Sequence, residues 1–212
     1  MYTPANFRSE DRVKITAFIA ANSFATLTTR GAGGLTATHL PFLYDEAAGP
    51  HGTLCAHLAR ANGQWRDFAE LPEAEALVVF QGAHGYISPT WYASHATMQH
   101  VPTWNYEAVH VYGVPRVIED AGRTIEVLER TIRRYEAAGS TYSVRSHAPE
   151  DLDKMVKAIV AFEIPVSRVE AKFKLSQNRS KEDLAGAVAG LEHTGDAAAR
   201  RLAAAMRRAN PQ

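Results

Sequence analysis

Between Ala76 and Tyr106 the chain carries no Asp, Glu, Lys or Arg. Charged residues make up 22% of the sequence, so a stretch this long should hold about seven. Its start, 77–81 (LVVFQ), reads as a buried strand. The part behind it, up to residue 108, reads as a long loop in which His84, Ser88, Thr90, His95, Gln99, His100, Thr103 and Asn105 alternate with Tyr86, Trp91, Tyr92, Trp104 and Tyr106. Pro89, Pro102 and this polar content exclude a membrane span. Neutral hydrogen-bonding groups among aromatic rings suit a planar heteroaromatic ligand or an obligate dimer interface. A well-packed loop without a ligand is the plain alternative.

The rest of the 212 residues has globular composition, and 23 Lys plus Arg balance 23 Asp plus Glu. Zero net charge gives no long-range pull towards nucleic acid, anionic lipid or an acidic partner. The lone Cys55 can form no intramolecular disulfide and excludes a cysteine zinc site. No apolar leader opens the chain, so the expectation is a soluble, cytoplasmic protein with no membrane partner.

Periodicity predicts an amphipathic helix over 9–22, where a capping Ser9 and early acids precede Ile15, Phe18 and Ile19. From Phe24 the period changes to two; a turn at 31–34 (GAGG) leads to a partner strand over 35–44, and a third strand covers 53–58. A short helix is expected over 61–71, a strand over 109–118 and a helix over 123–137. Residues 138–149 read as a loop, and 158–175 as a strand pair broken near Pro165. Residues 181–191 and 196–209 form a helical hairpin. Many short strands with helices at start, middle and end predict a mainly β, α+β fold, a closed or nearly closed barrel decorated by helices.

Several segments carry a family resemblance: 37–41 (ATHLP), 57–62 (HLARAN) with Gln64-Trp65, 86–89 (YISP) with Trp91-Tyr92, 101–106 (VPTWNY) with 109–113 (VHVYG), and 174–179 (KLSQNR). Together with the opening MYTP and Phe7, they resemble the FMN-binding negative transcriptional regulators of the PaiB type, over almost the whole chain. Gly63, where proline is usual, and Phe173, where tryptophan is common, depart from that pattern. The resemblance implies a flavoprotein with an FMN-binding split β-barrel over 1–178, a C-terminal helical hairpin over 179–212, and a homodimer holding cofactor at the subunit interface.

FMN needs cations or hydroxyl donors for its phosphate, apolar or aromatic walls for its ring, and a few fixed hydrogen bonds to ring heteroatoms. Arg60, with His57 three residues before it, is the phosphate candidate; the alternative is an ordinary surface arginine. Thr38 and Thr36 share a strand face, where strand propensity is the stronger explanation, and His39 lies on the other, where a satisfied core histidine is the equal alternative. Ser88, Trp91, Trp104 and Asn105 are candidates for ring contacts, with core packing open for Trp104. Lys174, Ser176, Gln177 and Asn178 crowd polar groups at a strand end, where each must reach solvent or a ligand. No catalytic residue can be assigned, although Tyr86, Tyr92 and His100 offer proton donors.

Nine histidines show no metal-binding spacing, so no metal is expected. Haem remains the alternative cofactor, with His39, His57, His84 or His110 as axial ligand, and with it a flavin- or haem-dependent oxidoreductase. DNA binding has one local argument. In the last helix Arg200, Arg201, Arg207 and Arg208 lie opposite an apolar stripe of Leu202, Met206 and Ala209, suited to phosphate but not to reading bases. A solvated helix face is the alternative.

Overall fold

The computed structural model describes residues 1–211. Among the described residues, nine strands and six α-helices make a mostly antiparallel α+β fold. The strands are β1 (Arg8–Ser9), β2 (Phe24–Gly31), β3 (Gly34–Pro41), β4 (Leu43–Asp45), β5 (Thr53–Ala59), β6 (Ala76–Ile87), β7 (Thr103–Gly113), β8 (Arg116–Val117) and β9 (Ile159–Lys174). The helices are α1 (Arg12–Ala21), α2 (Asp67–Glu70), α3 (Ala121–Tyr135), α4 (Pro149–Lys157), α5 (Lys181–His193) and α6 (Ala197–Ala209). The strand order is β3-β2-β6-β7-β9-β5-β4, with β1 and β8 also paired to β9. This path ends at β3 and β4, so the sheet is not closed, and of the closed or nearly closed barrel expected from the sequence the fully closed form is ruled out. Among the described residues no helix is long and apolar enough to cross a membrane.

The chain divides into two compact units, one of residues 16–80 and 110–169, the other of residues 1–15, 81–109 and 170 onward. In the first, β2 and β3 form the expected hairpin, in register from Phe24 opposite Pro41 to Gly31 opposite Gly34. The alternation Ala25, Leu27, Thr29 turns inward. Phe42 meets Phe80 and Phe162 edge-on, with ring centroids 5.9 and 6.2 Å apart, and Phe68 lies 5.2 Å from Phe162. Helix α3 starts where Asp120 accepts from the Arg123 amide at 2.7 Å. It buries Val127 in a cluster with Cys55, Ile118 and Ala161.

Three expectations need correction. Strand β9 is one strand through Pro165, not a broken pair. Pro165 lies opposite Thr53, the first residue of β5, where the ladder needs no further N–H from it, and the Val166 amide then donates to the Gly52 carbonyl at 3.0 Å. The long loop is shorter than expected, because β6 runs on to Ile87 and β7 begins at Thr103. Glycine hides this extension: a Cβ on Gly85 would lie 3.0 Å from the Leu202 side chain, so the position favours a residue with poor strand propensity. Helix α4, with Pro149 in its first turn, was not read from the sequence.

In the second unit, α5 and α6 form the expected hairpin. Ser180 caps α5 by accepting from the Asp183 amide, and Asp196 caps α6 by accepting from the Ala199 amide. Leu191, Leu202, Ala203, Ala205 and Met206 are buried, as are Ile87, Tyr92, Phe173 and Leu175. Gly186 and Gly190 permit a close approach: a Cβ on Gly186 would sit 2.0 Å from the Trp91 carbonyl oxygen, and one on Gly190 2.3 Å from its indole.

Candidate functional site

The twelve sequence candidates divide between the units. Thr38, His39, His57 and Arg60 lie in the first, and the other eight in the second.

In the first unit, Thr38 Oγ1 accepts from Asn62 Nδ2 at 3.0 Å. The exposed edge strand carries His39, whose ring stacks on Phe24 at 6.3 Å. Burial pushes the His57 pKa below its ordinary value. Arg60 is already engaged: Nε donates to the Lys157 carbonyl at 2.7 Å and Nη2 to the Ile159 carbonyl at 2.8 Å. Beside it, Gln64 Nε2 donates to Thr29 Oγ1 and the Leu27 and Thr36 carbonyls, while its buried Oε1 has no partner. That orphaned acceptor is one the sequence reading did not single out.

The second unit holds a more coherent group. Strand β7 presents Trp104, 49% exposed, and β6 presents Tyr86, 48% exposed. The His84 ring stacks on Trp104 at 6.0 Å with 25° between planes. The Lys174 ammonium donates to Thr103 Oγ1 at 2.5 Å and the Trp104 carbonyl at 2.8 Å. Its pKa is lowered by partial burial and by the nearby Lys172 and Arg179, so positive charge is concentrated at this strand end. Lys172 is buried against the Tyr2 carbonyl and the Tyr2 and Tyr106 rings. An anion placed near Lys174 would relieve that repulsion.

The remaining KLSQNR residues have mixed roles. Ser176 adopts a left-handed conformation (φ 67°) and is buried, its Oγ accepting from Asn105 Nδ2 at 2.8 Å. Gln177 closes the turn after β9: Oε1 accepts from the Leu175 amide at 2.7 Å, and Nε2 donates to the Phe173 carbonyl at 2.5 Å. Asn178 is exposed. Asn105 is 1% exposed, and Ser88 caps the turn at Pro89–Trp91. The indole of Trp91 packs on α5 at Gly190.

A second cluster holds the charge-free segment in place. The Ser94 amide donates to Asp183 Oδ1 at 2.9 Å, and Ser94 Oγ lies 2.9 and 2.8 Å from the two carboxylate oxygens. His100 Nε2 is 2.7 Å from the same hydroxyl. One hydroxyl proton satisfies this arrangement when the imidazole N–H donates to Ser94 and Ser94 donates to Asp183. The Ser94 amide first, and its hydroxyl after it, hold the Asp183 carboxyl below the ordinary range. Arg179 lies over the Tyr92 ring at 4.7 Å, with Nη1 3.4 Å from His100 Nδ1, while the buried Tyr92 hydroxyl has no partner. Sequence reading missed Ser94 and Asp183. The spacing Ser180-x-x-Asp183 signals a capping box, but it does not say that the carboxylate turns to Ser94.

In fold the chain is similar to the FAD and heme binding protein from Mycobacterium smegmatis (TM-score 0.59, 15% identity, 84% of this chain and 78% of that one). It is also similar to the flavocytochrome Anf3 from Azotobacter vinelandii (TM-score 0.58, 16% identity, 84% and 75%). The architecture is thus that of the split-barrel class. Within it, residues 1–168 match the family described as "Putative FMN-binding domain", and the chain belongs to that family. It is 35% identical over 207 residues to the protease synthase and sporulation protein PAI 2 of Bacillus subtilis (strain 168), covering 97% of this chain and 96% of that one. The resemblance to the PaiB type is borne out.

Proposed function

We propose that this chain binds FMN and works as a PaiB-type flavin-dependent sensor, a negative transcriptional regulator that is a cytoplasmic homodimer with cofactor at the subunit interface. The observation that carries the reading is the exposed aromatic face of Trp104, His84 and Tyr86 next to the cation-rich end of β9. Aromatic faces suit an isoalloxazine ring, and Lys174 suits its phosphate. Asn178 is exposed at the same strand end. Ser88, Trp91, Asn105, Ser176 and Gln177 then act by shaping the site, since their side chains already serve turns and packing. Thr38, His39, His57 and Arg60 are separate candidates for flavin contacts within the first unit. FMN would supply redox chemistry; the chain's residues bind it and shield it from water. The Bacillus subtilis relative is named protease synthase and sporulation protein PAI 2, and likeness to it is compatible with a regulatory role.

The test is an absorption titration of the purified protein with FMN, run beside Lys174→Gln and Trp104→Ala. Saturable flavin binding that weakens by about 1–3 kcal/mol in Lys174→Gln supports the reading. An intense Soret band with haem and no flavin binding would move the site to haem chemistry. Elution at the monomer mass across a wide concentration range would refute the interfacial site.

A further inference from the structure

The FMN-binding family match ends at residue 168, which leaves the α5–α6 hairpin without an assigned role. A cavity of about 870 Å³ opens on this hairpin, within the size range of small-molecule sites. One wall is a stripe of α5, Leu184, Ala185, Val188 and Ala189, whose spacing puts all four on one face. Two of them are exposed alanines, so the wall is apolar and the space in front of it is unfilled.

The charges at the mouth are unequal. Arg207 also lines the cavity, but its guanidinium pairs with both carboxylate oxygens of Glu192, one of them at 2.8 Å. Asp183, two residues from Lys181, turns its carboxylate to Ser94. Arg179 is held by the Tyr92 ring and His100 and has no carboxylate within ion-pair distance among the described residues; Lys181 has none either. Among the described residues Glu182 is the one lining carboxylate without an ion pair, so Arg179 and Lys181, neither of them in an ion pair, face one such anion, with the Asp183 carboxylate near Arg179 but turned to Ser94. A half-buried guanidinium fixed by an aromatic ring, beside an apolar wall, is a receptor for a carboxylate attached to a hydrocarbon body.

We propose that the hairpin cavity is a binding site for an amphipathic organic anion, its carboxylate on Arg179 and Lys181 and its apolar body along the Leu184–Ala189 stripe. The site does not depend on the flavin reading. A bare inorganic anion would leave the apolar wall wet, and an uncharged apolar molecule would leave the cations unused.

The probe is octanoate, titrated calorimetrically into the full chain, with 1-octanol as the uncharged counterpart. Saturable 1:1 binding of octanoate, at least about tenfold tighter than 1-octanol, is expected from a charge-assisted contact. Lys181→Gln and Arg179→Gln should each weaken octanoate several-fold. Ala185→Trp, at an exposed position that fills the cavity, should abolish it while leaving FMN titration unchanged. Equal affinity for the two probes, no octanoate binding, or binding that survives both Lys181→Gln and Ala185→Trp would overturn the proposal. So would competition between octanoate and FMN, which would put the probe in the flavin site.

Discussion

Replacing Gly186 by alanine sets two effects of opposite sign against each other. In an exposed helix the change stabilises by about 1 kcal/mol through propensity alone. Here the new methyl would sit 2.0 Å from the Trp91 carbonyl oxygen and 3.7 Å from the Ala93 amide nitrogen. A backbone oxygen cannot rotate away, so helix and segment must separate by more than 1 Å, and overpacking of this kind costs about 3 kcal/mol, the upper end of its usual range. The net loss is about 2 kcal/mol, or a fall in Tm of about 4–8 °C for a chain of this size. Gly190→Ala should cost less, because its Cβ meets the Trp91 indole, a side chain that can shift. Ala185→Gly, at an exposed site on the same helix, isolates the propensity term and should lower Tm by about 2–4 °C. The assay is calorimetric melting of the three variants beside the parent. A rise in Tm for Gly186→Ala would mean that helix and segment do not approach this closely, and the packing of the hairpin on Trp91 would be refuted.

Removing Arg60 should destabilise the fold as well as test flavin binding: its bonds to the Lys157 and Ile159 carbonyls make Arg60→Ala cost about 1.5–3 kcal/mol, read as a lower urea midpoint. Asn105→Ala leaves the buried Ser176 hydroxyl without its donor, and a loss of about 1–3 kcal/mol is expected in the same measurement. His57 is held below its ordinary 6.5 by burial, so the unfolded chain takes up a proton there before the folded one. Stability should therefore fall as pH drops below about 6.5, and a His57→Gln variant should show a shallower fall in Tm between pH 7 and 5; an unchanged slope would remove His57 as a source.

The legible parts of the fold were those whose signal is local. The β2–β3 hairpin announces itself by alternation around a glycine turn, and α3 and the terminal hairpin by helical periodicity; their caps at Asp120, Ser180 and Asp196 are seen only in the structure. What stayed hidden depends on a distant partner. Gly85 weakens the strand pattern of β6 because Leu202 needs the space, and Gly113 does the same in β7, where a Cβ would meet the Pro165 carbonyl at 2.3 Å. Pro165 reads as a break until its position at the end of the β5 ladder is known. At the site, the family motifs marked Trp104 and Lys174 as residues of interest, but not that Gln177 would serve its own turn or that Asn105 would bond Ser176. Hydrogen-bond direction is a tertiary property, and residue type alone does not carry it.

The missing charges between Ala76 and Tyr106 now have two physical causes. In β6 and β7 the strands themselves place no charge beside the exposed Trp104 and Tyr86 rings, and the nearby cation, Lys174, comes from β9. Between the strands, the segment from Ser88 to Pro102 lies on α5 through Trp91 against Gly186 and Gly190, and through Ser94 on Asp183. Among the described residues, the ionic groups at that contact are Asp183, from α5, and Arg179, from the KLSQNR run, rather than residues of the segment. Most of the segment is exposed, so a charge would have to be desolvated only at the positions packed on α5, around Trp91 and Ser94. The position most sensitive to this is Ser94, where the hydroxyl joins His100 to Asp183. Ser94→Asp would bring a second carboxylate against the first, with Arg179 too far engaged at Tyr92 to neutralise both. The segment should then detach from α5, exposing Trp91 and red-shifting tryptophan emission. The isosteric Ser94→Cys, whose thiol is a weaker donor of similar shape, should keep the segment in place. If Ser94→Asp instead melts and fluoresces like the parent, the Asp183 contact does not hold the segment, and the absence of charge has to be explained by the strands alone.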